Sequence, residues 1–87
     1  MHVELHPHAI ERLSERGATS AEVIDTVLHG ERFPAKFNRI GFRKVFTYNA
    51  VWRGRMYLHK EVEAIAVETP TGVLVLTVIT RYFEDMR

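Results

Sequence analysis

Residues 72–83, GVLVLTVITRYF, constrain this chain more than any other stretch. The segment is rich in β-branched residues, and it is almost continuously apolar from Val73 to Ile79. That pattern belongs to a strand covered on both faces. Thr69-Pro70-Thr71-Gly72 precedes it, with Pro at the second position of a turn and Gly at the fourth. The turn predicts a hairpin between 60–69 and 73–83, with 73–79 as a central strand. Alone, KEVEAIAVET (60–69) is ambiguous, because Lys, Glu and Ala favour helix; the turn decides for strand. A chain of 87 residues forms one domain, 1–87. It buries only roughly 60–65% of its extended-chain surface, so the remaining segments must pack around that strand.

Upstream, residues 2–5 fit a short edge strand. Pro7 suits the first turn of a helix that runs to about Arg16 and stops at Gly17. Ala9, Ile10 and Leu13 form its apolar stripe. Thr19-Ser20-Ala21-Glu22 is a capping box opening a second helix, with Val23, Ile24, Val27 and Leu28 as its apolar face and Gly30 as its end. RFPAKF (32–37) is a Pro-containing edge candidate, and FRKVFTYNAVW (42–52) is a strand followed by an Arg-Gly turn signal. The expected fold is α+β: an N-terminal two-helix hairpin packed on one face of a four-stranded, mostly antiparallel sheet.

The composition, 46% hydrophobic and 26% charged with no cysteine, excludes disulfide frameworks and thiolate chemistry. The first residues carry no signal-peptide apolar run, and no segment is long enough to span a membrane. A cytoplasmic location is therefore expected. Net charge is +1, but it is unevenly distributed. Residues 1–31 sum to −4, residues 61–87 to −3, and residues 32–60 to +8 with no Asp or Glu. That middle stretch also holds seven of the nine aromatics. Cations interleaved with rings suit a nucleic-acid surface, the first holding phosphates and the second stacking on bases. The competing reading is a sheet with an aromatic core and a solvated charged face. Arg16, Arg43, Lys44, Arg53 and Arg55 are the candidate nucleic-acid contacts.

Three constellations could carry chemistry. His8, Arg12 and Arg16 follow one another at four-residue steps on the first helix. Histidine exchanges protons near neutral pH, and the arginine fork matches phosphate oxygens. One histidine and two or three cations can serve RNA cleavage by its own 2′-OH without a metal. A wet helix face laced by Glu11, Arg12, Glu15 and Arg16 pairs is the plainer account of the same spacing. Thr77 interrupts the apolar strand, while Thr80 and Tyr82 follow on its other face. Lys60, at a strand start near Tyr57, could act as a general acid or a phosphate contact. Third, His2, His6 and His8 would resemble a zinc triad if extended, but Pro7 and the helix start break that geometry. No metal and no cofactor are expected. The sequence shows no Gly-rich phosphate loop, no paired carboxylates in an apolar setting and no Ser/His/Asp arrangement.

His8-Ala9-x-x-Arg12-Leu13-x-x-Arg16-Gly17-Ala18-Thr19, with Val23 in the following helix, resembles the opening of a small bacterial and archaeal domain family. That opening reads His-Ala-x-x-Arg-Met/Leu-x-x-Arg-Gly-Ile-Ser/Thr. The family is grouped with RelE/BrnT-like toxins in the barnase–EndoU–colicin–RelE nuclease fold. Val75-Leu76-Thr77-Val78-Ile79 is similar to its last strand, and Tyr57-x-x-Lys60-x-Val62-Glu63 to one of its subgroups. Residues 31–56 lie outside the resemblance, and Ala18 stands where the family has Ile. The resemblance implies metal-independent RNA cleavage, with His8 as general acid or base. Arg12, Arg16 and Lys60 would neutralise phosphate, and Tyr82 would position or protonate. Thr77 and Tyr82 have opposite strand parity, so both can serve one site only if a bulge lies between them. The expected function is an endoribonuclease of RelE-like toxin type. Its partners would be RNA (ribosome-associated or free), a cognate antitoxin, or a second copy of the chain, and no membrane. The alternative is a non-catalytic nucleic-acid-binding or protein-interaction module of the same fold.

Overall fold

The computed structural model describes residues 1–84. Strand β1 (His2–Leu5) comes first, then helices α1 (Pro7–Arg16) and α2 (Ser20–His29). Strands β2 (Glu31–Ala35), β3 (Arg39–Trp52), β4 (Arg55–Thr69) and β5 (Gly72–Phe83) complete the chain. The α+β class holds, but the sheet expected to be four-stranded and mostly antiparallel is five-stranded and mixed, in the order β1-β5-β4-β3-β2. A strand precedes the helical pair, and it lies parallel to β5, with His2 opposite Gly72 and Leu5 opposite Val75. Parallel partners need a long crossover, so no turn in the sequence announces the pairing. β1 is only four residues long. From Leu76 onward, β5 therefore has a strand on one side only, and its predicted central position holds for its first third.

Local signals account for the helix ends. His6 is the N-cap of α1, its Nδ1 accepting from the His8 N–H at 3.1 Å, and Pro7 takes the first turn. The α2 capping box is formed in both directions between Thr19 and Glu22. Both helices cover one face of the sheet, α1 over β5 and α2 over β4 and β3. Ala9 and Leu13 of α1 and Val23 and Val27 of α2 are buried there. Ile10, Ile24 and Leu28, expected in the apolar stripes, are exposed instead. A thin sheet offers each short helix a contact line only about two residues wide per turn.

Beneath the helices lie Ile40 and Phe42 of β3, Val62, Ala64 and Ala66 of β4, and Val73, Val75 and Val78 of β5. Val62 and Val75 are fully enclosed. Burial of each such side chain stabilises the fold by roughly 1.5–3 kcal/mol. The alanines of the ambiguous 60–69 segment, Ala64 and Ala66, are fully buried beneath the helices. The strand begins five residues earlier than its predicted start, at Arg55.

Two register shifts re-aim side chains. One lies on β3 between Thr47 and Ala50, and the other is where Thr77 pairs with Ile65 but Val75 with Ala66. The second falls before Thr77, not between Thr77 and Tyr82. Thr77 therefore shares the helix-free face with Ile79 and Arg81, whereas Val78, Thr80 and Tyr82 face the helices. The bulge that would have brought Thr77 and Tyr82 to one face is not where it was needed.

Gly17 carries α1 into the inter-helix turn with φ 73°. A Cβ there would lie 2.0 Å from the Tyr82 hydroxyl and 2.9 Å from the Trp52 ring. Gly17→Ala is expected to destabilise the protein by at least about 1 kcal/mol, through left-handed strain plus displacement of Tyr82. A urea melt showing an unchanged midpoint would contradict this account.

Candidate functional site

A helix ends with unpaired carbonyls and the negative pole of its dipole. At the C-terminus of α1, the Gly17 and Ala18 N–H groups satisfy Ser14 and Leu13. The next three carbonyls are met by side chains from the sheet. Arg53 donates to the Glu15 carbonyl at 2.9 Å. Thr80 donates to the Arg16 carbonyl at 2.5 Å. The Tyr82 hydroxyl lies 3.2 Å from the Arg16 oxygen and 3.3 Å from that of Gly17. Lys60 Nζ donates to the Gly17 carbonyl at 2.9 Å.

Lys60 and Tyr82, two of the expected catalytic residues, are thus parts of a helix cap. Lys60 is 4% exposed. Besides the Gly17 carbonyl, its ammonium reaches Glu22 Oε1 at 2.9 Å and Oε2 at 2.8 Å, and it lies 5.0 Å from the Tyr48 ring centre. An ammonium has three protons, and all have partners here. The Tyr82 ring stacks on Trp52 at 5.1 Å and meets Tyr48 and Tyr57 at 5.4 Å. Burial pushes its phenol above the ordinary value of 10.0, more than its contact with the Thr80 hydroxyl lowers it. Both polar groups are engaged by the fold in this arrangement. Thr80 and Glu22 complete this cap; the sequence placed Glu22 in a capping box and Thr80 beside Tyr82, but assigned neither to the end of α1. The period-two pair Thr80-x-Tyr82 is the only local trace of it.

The charge pattern resolves in the same way. Five of the eight cations of the acid-free stretch find acids from outside it: Arg32 meets Glu68 at 3.4 Å, Arg43 meets Glu31 at 2.6 Å, and Lys44 meets Asp25 at 2.7 Å. Arg55 pairs with Glu84, and Lys60 with Glu22. The hydrogen bond from Lys44, then that from His29, holds the Asp25 carboxyl below its ordinary value. The Glu31 hydrogen bond raises the Arg43 guanidinium. Arg43, Lys44 and Arg55, expected to hold nucleic acid, therefore have protein partners. Apart from the buried Lys60–Glu22 pair, each ion pair is an exposed contact worth only about 0–1 kcal/mol, but the five pairs together offset more than half of the +8. The aromatics are mostly packed too: Phe42 is buried, Phe33 covers Gly41, and Tyr48, Trp52 and Tyr57 surround Tyr82.

A different set stays open. His8, Arg12, Arg16 and Thr77 line one groove of about 230 Å³ between α1 and the free edge of β5, with Leu76 and Val78 at its floor. His8 and Arg12 are exposed. The guanidiniums of Arg12 and Arg16 make no hydrogen bond or ion pair among the described residues. The Glu11–Arg12–Glu15–Arg16 ladder that would explain the spacing as a wet face is not formed. Arg16 also borders a second hollow of about 400 Å³, lined by Glu15, Trp52, Arg53, Thr80 and Tyr82. His8, Arg12, Arg16 and Arg53 therefore follow one rim. The structure joins the first two expected catalytic residues to Thr77 and separates them from Lys60 and Tyr82.

On the helix-free face, Glu61 and Glu63 are 8% and 9% exposed, a carboxylate pair that the sequence had not revealed. One nitrogen of Arg81 bridges them at 3.2 and 3.1 Å. His59 precedes them by one strand period, with an enclosed Nδ1 that has no hydrogen-bond partner among the described residues. The signal was His59-x-Glu61-x-Glu63, alternation that aligns all three on one face. No three His, Cys, Asp or Glu residues cluster as metal ligands among the described residues. His6 is engaged as a cap, and His2 lies 3.9 Å from Glu4. No helix among the described residues is long and apolar enough to cross a membrane. Compared with protein-family models, curated proteins and solved structures, the chain matches none.

Two outcomes follow from the cap. Lys60→Met is expected to cost about 3–5 kcal/mol, because Glu22 is left half-enclosed without its counter-charge. Pairing it with Glu22→Gln, which keeps the capping box, should recover most of that loss; equal urea midpoints for single and double variants would contradict the pairing. Tyr82→Phe should cost about 1 kcal/mol at neutral pH. Because the folded state holds the phenolic proton more tightly than the unfolded chain, its contribution is full below pH 10.0 and is lost as pH rises through the folded value. The variant should therefore show a shallower alkaline loss of stability than wild type.

Proposed function

We propose that this chain binds single-stranded RNA, holding its phosphates along the rim formed by His8, Arg12, Arg16 and Arg53. One observation carries the proposal: Arg12 and Arg16 face an open groove with no partner among the described residues, while five cations of the middle stretch are paired with acids. A guanidinium left without a carboxylate, with an exposed histidine in the same groove, suits a phosphate oxygen. The resemblance of the α1 opening to the RelE/BrnT-like family favours RNA over DNA, and a cytoplasmic setting goes with it.

Cleavage is the second reading, favoured by the exposure of His8 in the same groove as Arg12 and Thr77. With Lys60 and Tyr82 engaged in the helix cap, His8 is the one group of the expected set equipped to move a proton. In that version the chain is a metal-independent toxin, and a cognate antitoxin would cover the groove.

Fluorescence anisotropy with a short labelled single-stranded RNA tests binding. Arg12→Ala with Arg16→Ala should weaken it and flatten the slope of log K against log salt by about 1.4, two phosphate contacts at ~0.7 each. Arg43→Ala with Lys44→Ala should leave the slope unchanged. Equal slopes for all three proteins would refute the groove as the binding surface. Incubation of RNA with EDTA, with and without ribosomes, tests cleavage. If wild type and His8→Ala leave the RNA equally intact, the toxin version falls and the binding version stands.

A further inference from the structure

Among the seven aromatics of the middle stretch, Phe37 stands apart at 84% exposed. It sits at the tip of the β2–β3 hairpin, between Lys36 and Asn38. Phe37 and Asn38 both have positive φ, 60° and 62°. Tight hairpins with that geometry favour Asn-Gly, and a bulky residue in the left-handed region is strained. The chain thus keeps a large ring where the backbone disfavours it and where it buries almost nothing. Local rules are broken in this way where a side chain has work outside the fold.

The surroundings indicate the kind of work. Phe37 borders an apolar groove of about 460 Å³ on the helix-free face, whose walls include Phe33, Ile65, Thr77 and Ile79. Lys36 and Arg39 stand at the same groove, and neither has an acidic partner among the described residues. The Arg39 guanidinium lies 5.7 Å from the Phe37 ring centre. Glu63, also on the wall, has its carboxylate held by Arg81 at 3.1 Å. Thr77, at the open edge of β5, belongs both to this groove and to the one lined by His8, Arg12 and Arg16. The two grooves, on opposite faces of the sheet, meet at that residue.

We propose that the Phe37 groove is a nucleobase subsite for single-stranded RNA, taking the bases next to the phosphates held at the α1–β5 rim. The inference rests on the RNA-binding reading above. The strand would turn around the β5 edge at Thr77, with Phe37 stacking on a base and Lys36 and Arg39 facing the backbone. Two cations without acids favour nucleic acid here over an apolar protein segment. Stacking on an aromatic ring tolerates any base, so the subsite adds affinity more than sequence preference.

The test compares a short fluorescein-labelled single-stranded RNA with an abasic RNA of the same length and charge. Wild type should bind the intact RNA at least about five-fold more tightly, the smaller end of stacking effects. Phe37→Asn should lose that difference and bind the two alike. It should also fold as well as wild type or better, with an equal or higher urea midpoint, because Asn accepts the left-handed backbone. Arg12→Ala with Arg16→Ala should weaken both RNAs while keeping the intact-over-abasic difference. If Phe37→Asn matches wild type on both RNAs, the subsite is refuted while RNA binding at the rim survives. If wild type binds neither RNA at low salt, both fail together. If instead Phe37→Asn abolishes a self-association seen by sedimentation without changing the intact-over-abasic ratio, the ring is a protein contact and the subsite is refuted.

Discussion

The Lys60 ammonium, buried where α1 ends and α2 begins, is the contact on which the arrangement of helices and sheet depends. It touches the Gly17 carbonyl and both oxygens of Glu22, so a single charge on β4 ties down the last turn of one helix and the first turn of the next. Both helix termini are matched to it, because a cation suits the carbonyl end of α1 and a carboxylate suits the amide end of α2. Glu22 serves the capping box and the ion pair together. Thr80, Tyr82 and Arg53 extend the same cap along the remaining carbonyls. The apolar core is thin, and polar contacts fix where each helix ends upon it.

This arrangement explains why so many polar residues of the sheet look catalytic in one dimension and are structural in three. Lysine, threonine and tyrosine on strands are the groups that could neutralise phosphate and move protons. They are also the donors that a helix C-terminus lacks. Distance and burial separate the two uses: a donor bonded to carbonyls and enclosed by rings stabilises the fold, whereas a cation at a groove with no acid beside it remains available. By that criterion Lys60 and Tyr82 are held within the fold, whereas Arg12 and Arg16 have no acidic partner among the described residues and His8 is exposed.

The same criterion applies to charge and to rings. The middle of the chain concentrates cations because β2, β3 and the start of β4 lie against acids of α2, β4 and the segment after β5. What looked like a nucleic-acid footprint is largely one half of a set of long-range ion pairs. Most rings there pack around Gly41 or Tyr82. Few groups of that stretch are left over: Lys36, Arg39 and Arg53 without acidic partners among the described residues, and Phe37 at a strained turn.

Much of the architecture was written locally. Pro7 with Gly17, the Thr19–Glu22 box, and the Thr69–Gly72 turn each act within a few residues, so the helices and the last hairpin were legible from the chain alone. The strand character of 60–69 followed from that turn. The identity of His8, Arg12 and Arg16 as one face was legible too, since helical spacing determines it. Other features required contacts between residues far apart in sequence. β1 joins β5 across seventy positions. The Leu76 shift settles which face Thr77 takes, and no residue type marks it. Lys60 becomes a cap only because α1 ends above it, and Glu61 and Glu63 become a buried pair only because Arg81 crosses between them. Short-range sterics and hydrogen bonds determined the elements; desolvation and long-range pairing, which exist only once the sheet is assembled, decided which charged groups serve the fold and which remain for a partner.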